Sequence, residues 1–161
     1  MLAWCWQSGL IDPAEAERLS ALAASRSSEA EVAFHAALDL RESIYRLVTA
    51  VISGGSPASA DSQCLNDALS ATQRRIEASD PGFAWAWVQS DDLGQILAPI
   101  ALAAAELLTS DEFQRVRQCP NCGWLFVDTS RNHSRRWCSM DFCGSKIKSR
   151  RQYERRKTAK T

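Results

Sequence analysis

The sequence predicts a mainly α protein in two parts. A helical domain, with room for short strands, occupies residues 1–112, and a small module of a hairpin and a basic C-terminal helix occupies 113–161. Three observations carry this reading. Helix-capping residues followed by apolar positions at three-to-four spacing recur through the first hundred residues. Four of the six cysteines fall in one short C-terminal stretch. Charge sums to zero but is segregated: residues 1–114 hold 6 Lys/Arg and 16 Asp/Glu, whereas residues 115–161 hold 13 and 3. A basic end on an acidic body suits a polyanion at the former and an uncharged or protein ligand at the latter.

Taken in order, Asp12-Pro13-Ala14-Glu15 is a helix start, with Asp12 as N-cap, Pro13 at the first position and an Ala-rich run to about Ala24. Ser28-Glu29-Ala30-Glu31 repeats the signal ahead of a long helix that Gly54-Gly55 ends near Ile52. Val32, Ala36, Leu40, Ile44, Leu47 and Val51 form its expected core stripe. A Gly, Ser and Pro loop leads to a third helix over roughly Asp61 to Ala78, with Leu65, Leu69, Thr72 and Ile76 on one side. Asp80-Pro81-Gly82 is a turn, and Phe83 to Val88 alternates large and small residues as a short strand does. A fourth helix spans about Asp91 to Thr109, interrupted or kinked at Pro99, with apolar Ile100–Leu108 expected at the centre of the first domain.

Cys119 and Cys122 are spaced Cys-x2-Cys, fifteen residues follow, and Cys138 and Cys143 are spaced Cys-x4-Cys. Two short-range pairs can supply four thiolates to one tetrahedral Zn2+, each sulfur about 2.3 Å from the metal. Pro120 and Gly123 suit a tight knuckle between the first two. Four thiolates leave no open coordination position, so the site is structural rather than catalytic. Two disulfides, or a redox Cys-x-x-Cys, are the alternatives, and an intracellular chain favours metal. Strands are expected over Gln114–Gln118 and Trp124–Val127, a turn over Asp128–Asn132, and a helix from about Cys143 to Lys157. That order resembles a treble-clef zinc finger.

Lys146, Lys148, Arg150, Arg151, Arg155, Arg156 and Lys157 lie within twelve residues, and helical spacing wraps their charge around the axis. Such a helix suits a DNA groove, with Arg131, Arg135 and Arg136 gripping phosphates nearby. A solvated charged tail is the bland alternative.

The string Cys119-Pro-Asn-Cys-Gly-Trp-Leu-Phe-Val-Asp-Thr-Ser-Arg-Asn-His-Ser-Arg-Arg-Trp-Cys-Ser-Met-Asp-Phe-Cys143-Gly closely resembles the CGNR-type zinc finger. Residues 1–114 resemble the helical ABATE domain that precedes that finger in bacterial proteins, on Leu40-Arg41-Glu42, Leu65-Asn66-Asp67-Ala68-Leu69 and Ala103-Ala104-Ala105-Glu106-Leu107-Leu108. The resemblance implies a transcriptional regulator that binds DNA through its finger. Two departures stand out. The naming motif Cys-Gly-Asn-Arg is replaced by Cys143-Gly144-Ser145-Lys146, where Lys146 keeps the charge but not the bidentate guanidinium fork. Relatives also carry a strand-forming segment ahead of the point where this chain begins, so the first domain is expected to lack an edge strand.

Other groupings suggest less. His35, Asp39 and Glu42 share a helix face and are expected to be solvated or structural; His133 is surplus to a zinc already filled by four sulfurs. Cys5 and Cys64 read as buried apolar thiols, and Trp4, Trp6, Trp85 and Trp87 as core or interface rather than a ligand pocket. Neither a phosphate loop nor a nucleophile elbow nor a triad pattern occurs, so no enzyme is expected. The sequence reading is therefore a zinc-dependent, DNA-binding regulator in the cytoplasm, with no membrane segment. Its helical domain would sense a small-molecule effector or mediate self-association, as in a homodimer. A zinc-stabilised protein–protein adaptor, or an RNA-binding protein, is the alternative for the basic tail.

Overall fold

In the computed structural model, which describes residues 2–72, 74–88 and 90–158, the chain opens on a helix no capping signal announces, α1 (Leu2–Gln7). Gly9, at φ +74°, ends it in the left-handed conformation that costs glycine least. Cys5 on α1 is fully buried, and burial pushes its thiol pKa up, so it behaves as a small apolar group, as expected. Cys64 is only half-buried. Helix α2 (Pro13–Ser25) begins as its capping residues dictate: the Asp12 carboxylate accepts from the Glu15 N–H at 2.8 Å, and Pro13 occupies the first turn.

Helix α3 (Ser27–Ile52) has the expected length but a shifted core stripe. Ala33, Leu40, Ser43, Leu47 and Val48 are buried, whereas Val32 is 71% exposed and Val51 is also exposed. Both stripes share Leu40 and Leu47, and an Ala-rich helix offers two apolar faces one residue apart. Packing selects between them. Ala33 clusters with Cys5, Leu19, Leu93 and Ile96, where a small side chain lets α3 approach closely. Farther along α3, the Arg46 guanidinium donates to Asp61 Oδ1 at 2.6 and 2.9 Å and to Ser43 Oγ at 3.1 Å. The two buried polar residues of this link, Ser43 and Asp61, are thus satisfied, and the hydrogen bonds from Arg46 hold the Asp61 pKa below the usual carboxylate range.

Helix α4 (Ser59–Ser70) stops short of the expected span. Arg74–Ser79 forms β1 instead and pairs antiparallel with β2 (Gly82–Trp87), matching Ile76 to Trp85 and Ala78 to Phe83. Ile76 therefore leaves the helical stripe predicted for it. Its local period reads as helix, but pairing across the Asp80–Pro81 turn, a cis peptide, offers the backbone a ladder that one segment's pattern cannot reveal. The hairpin's aromatic face is open to solvent: Trp85 is 61% exposed, Phe83 is exposed too, and Arg74 stacks on Trp85 at 4.9 Å. Trp4 and Trp6 are also half exposed, so of the core or interface roles expected for these three tryptophans the core role does not hold, and the side chain of Trp87 lies outside the described ones. Among the described residues β1 and β2 form a sheet of two strands.

The last helix of this region breaks earlier than expected. Asp92 caps a 3-10 turn over Leu93–Ile96, and α5 runs from Leu97 to Thr109. Pro99 then falls in the first turn, where its missing N–H would have no helical acceptor, and produces no kink. Burial concentrates at Leu93, Ile96, Ala98 and Ala101, and within Ile100–Leu108 only Ala101 is buried. By contact the chain forms two compact units, Met1–Val51 with Gly55–Glu106, and Ile52–Gly54 with Leu107–Thr161. No described helix is long and apolar enough to cross a membrane.

Candidate metal centre and basic surface

In the second unit a 3-10 turn (Asp111–Arg115) leads into β3 (Val116–Gln118), which pairs antiparallel with β4 (Leu125–Val127). The Cys119–Trp124 segment is the tip of this hairpin. Cys119 N–H donates to Trp124 O and Gly123 N–H to Cys119 O, each at 2.8 Å, and Gly123 sits at φ +75°. That left-handed residue closes the knuckle. Cys143 lies in a π turn, Met140–Gly144, capped by Ser139, and this turn runs straight into α6 (Ser145–Thr158). A Cβ on Gly144 would meet Met140 Sδ at 2.6 Å and the Trp137 ring at 3.2 Å. A larger residue there would have to displace the exposed Met140 side chain and press on the Trp137 ring.

Cys119, Cys122, Cys138 and Cys143 converge, with all four sulfurs within 4.8 Å of one another. The Cys122–Cys138 and Cys138–Cys143 separations are 3.5 and 3.6 Å. Four sulfurs about 2.3 Å from one tetrahedral zinc would lie about 3.8 Å apart. The separations fit that ion and are far too long for disulfides, which need about 2.05 Å. Asn121 Nδ2 donates to Cys143 Sγ at 3.3 Å, an outer hydrogen bond of the kind that orients a thiolate ligand.

The thiols' electrostatics agree. Burial alone would push Cys119 up, but hydrogen bonds from the backbone of Cys138, Asn121 and Cys122 more than offset it, giving a pKa of about 6. Burial and the neighbouring sulfurs push Cys138 up to about 12. Metal-free, Cys119 and Cys138 therefore differ widely in how readily they ionise; a dication removes that conflict by accepting the sulfurs as thiolates and displacing their protons. The cofactor of this site is Zn2+.

Asp128, which the sequence reading treated only as a turn residue, organises the loop after β4. It is fully buried, and its carboxylate accepts from Ser130 N–H at 2.9 Å, Ser130 Oγ at 2.6 Å and Arg135 N–H at 3.0 Å. The Ser130 hydroxyl bond and these amides hold its pKa below the usual carboxylate range. An Asp at a strand end with Ser two residues on is the Asx-turn signature, and that signal was present in the sequence. Arg135 lies over Phe126 at 5.0 Å and donates through Nε to Trp137 O at 2.9 Å and through Nη2 to Cys138 O. Arg136 lies 5.5 Å from the Trp137 ring, and Arg131 is exposed. His133 has φ +47°, donates its backbone N–H to Ser130 O at 3.2 Å and is not in the sulfur cluster.

Helix α6 carries seven Lys/Arg and a single Glu, and Ile147 is its one buried residue among those described. Lys146, Lys148, Arg150, Arg151, Arg155 and Arg156 are all exposed, with Arg150 paired loosely to Glu154 at 3.8 Å. Trp124 and Phe142, in the same unit, are exposed at 69% and 79%. Away from this unit, His35, Asp39 and Glu42 are exposed and gather no metal geometry: His35 approaches Glu31 at 4.0 Å and Glu42 pairs with Arg41.

Two family patterns match the chain. Residues 115–156 match the CGNR zinc finger, and residues 1–111 match ABATE, described as "Putative stress-induced transcription regulator". No curated protein matches it. Within 115–156, residues 143–146 read Cys-Gly-Ser-Lys in place of the motif that names the finger. With the ABATE match covering more than half of the chain, the protein belongs to the ABATE family and carries a CGNR zinc finger over residues 115–156.

Proposed function

We propose that this protein is a zinc-dependent DNA-binding regulator whose finger docks on duplex DNA and whose helical domain senses a small molecule or joins two copies. The observation that carries the reading is α6. A helix with seven cations, attached by one buried residue immediately after a metal ligand, is stable neither by its own charge pattern nor by packing along its length. Phosphates supply what it lacks. From Lys148 to Thr158 the exposed helix is about 16 Å long at 1.5 Å per residue, and a major groove about 12 Å wide accepts such a helix. Lys146, Lys148, Arg150, Arg151, Arg155 and Arg156 would meet the groove and backbone, with Arg131 and Arg136 on the flanking phosphates. Arg135 would add charge from the part of its guanidinium not bonded inside the finger.

A mobility-shift titration of the zinc-loaded chain tests this. Replacing Lys148, Arg151 and Arg155 together with Ala should weaken binding to any duplex by at least about tenfold at low salt. Unchanged binding would overturn the reading. Exposed Trp124 and Phe142 favour a second reading, an RNA or protein partner, because exposed aromatic platforms suit unstacked bases and peptide surfaces. Competition between duplex DNA and folded RNA of equal length separates the nucleic acids, and binding to neither leaves the adaptor.

A further inference from the structure

The hairpin of β1 and β2 has an open side. Every residue of β1 from Arg75 to Ser79 is exposed, Ile76 at 61%, and the pairing with β2 runs along one edge of the strand. Alternate residues of such a strand direct N–H and C=O groups to the other edge, which is a template for a further strand. The hairpin also meets the helices across a cavity of about 440 Å³, lined by Arg75, Glu77 and Trp85 on its side and by Leu19, Ile96 and Pro99 on theirs. A two-stranded hairpin is marginal in water, whereas a sheet of more strands is not.

The charges of β1 specify which strand fits. Arg75 and Glu77 share one face of the strand, and Ile76 stands on the other beside Trp85. Laid antiparallel against itself about a twofold axis at Ile76, β1 sets Arg75 opposite the second copy's Glu77, Glu77 opposite its Arg75, and Ile76 opposite Ile76. Sliding the copies by two residues, the nearest alternative that keeps side chains on their faces, sets Arg75 on Arg75 or Glu77 on Glu77. Arg75 already pairs with Glu77 within one chain, so two copies complete an alternating square of four charges. The surroundings select the same strand. Residues 1–114 hold 6 Lys/Arg against 16 Asp/Glu, and two of the six, Arg74 and Arg75, are on β1, so two acidic bodies meet there with least repulsion.

We infer that β1 is the contact between two copies of this chain, joined edge to edge into a four-stranded sheet ordered β2-β1-β1-β2, with Trp85, Ile76, Ile76 and Trp85 in one row on a shared face. Six paired residues make an interface below the roughly 1,200 Å² of stable complexes, so the association is reversible and depends on concentration. This contact takes up the reading that the helical domain joins two copies and rests on it.

Sedimentation velocity on the zinc-loaded full chain reads the association, and the chain should pass from monomer to dimer within the micromolar range. Arg75→Glu alone, or Glu77→Arg alone, places like charges opposite each other at both positions of the twofold and should weaken the dimer by at least about tenfold. Mixed in equal amounts, the two variants should associate as tightly as the wild type, because each then offers the charge the other needs. Arg75→Glu with Glu77→Arg in one chain should do the same. Both positions are exposed, so thermal melting should show each variant folded like the wild type. A wild type that stays monomeric throughout, a dimer indifferent to either exchange, or a mixture of the two folded variants that remains monomeric would overturn the inference. The first result would leave the edge to a strand of another protein. Dimers that ignore DNA would keep this contact and sink the regulator; DNA binding by a monomeric wild type would sink this contact alone.

Discussion

Asp128 and Arg135 show how a single side chain serves the finger without touching its metal. Asp128 gathers three donors, so Asp128→Asn puts an amide N–H against one of them and should free the loop. Hydrogen exchange at the Ser130 and Arg135 amides should accelerate by at least about tenfold while the zinc content stays at one per chain. The acid dependence follows from the same bonds. A carboxyl whose pKa is lowered by folding stabilises the folded state above the ordinary carboxylate pKa, and that contribution disappears as pH falls through the depressed value. Thermal melts of the finger should therefore lose an acid-labile component in Asp128→Asn. Arg135→Ala removes bonds to Trp137 O and Cys138 O and should loosen zinc in a competition with a chromogenic chelator. Arg131→Ala should leave zinc affinity unchanged and weaken only the proposed DNA contact; the reverse pattern would contradict the geometry.

At the scale of elements, α6 depends on Ile147, and Ile147→Ala should destabilise its docking by about 2–4 kcal/mol, seen as lost helicity in the far ultraviolet. In the first unit Leu40→Ala should cost about 2–5 kcal/mol in a denaturant melt, whereas Val32→Ala should cost under about 1, because only Leu40 is buried. The contrast between those residues marks where sequence is readable. Caps are local, so Asp12 and Pro13 announced α2, and cysteine spacing is local, so the gathering of Cys119, Cys122, Cys138 and Cys143 was legible too. Partner choice is not local. Which stripe of α3 turns inward, and whether Arg74–Ser79 stays helical or pairs with Gly82–Trp87, is decided by surfaces the segment itself does not contain. The exposure of Trp4, Trp6 and Trp85 was hidden for the same reason: a large apolar side chain signals burial somewhere, and whether a surface covers it is not written in its own segment.

For the molecule as a whole, zinc and salt are the two external variables. Removing zinc with a strong chelator should collapse the circular-dichroism and near-ultraviolet signals of the second unit and abolish DNA binding, while the helical unit keeps its melting transition. A finger that stays folded without metal would contradict the site. With about six phosphates engaged, log affinity should fall against log salt with a slope of roughly −5, and an affinity indifferent to salt would exclude a phosphate interface. The solitary attachment at Ile147 has a further consequence. The described positions after it on α6 are all exposed, so their side chains answer to solvent and to whatever docks there rather than to a core. Polar exchanges along that rod should leave the metal-bound base folded, with its melting transition in place.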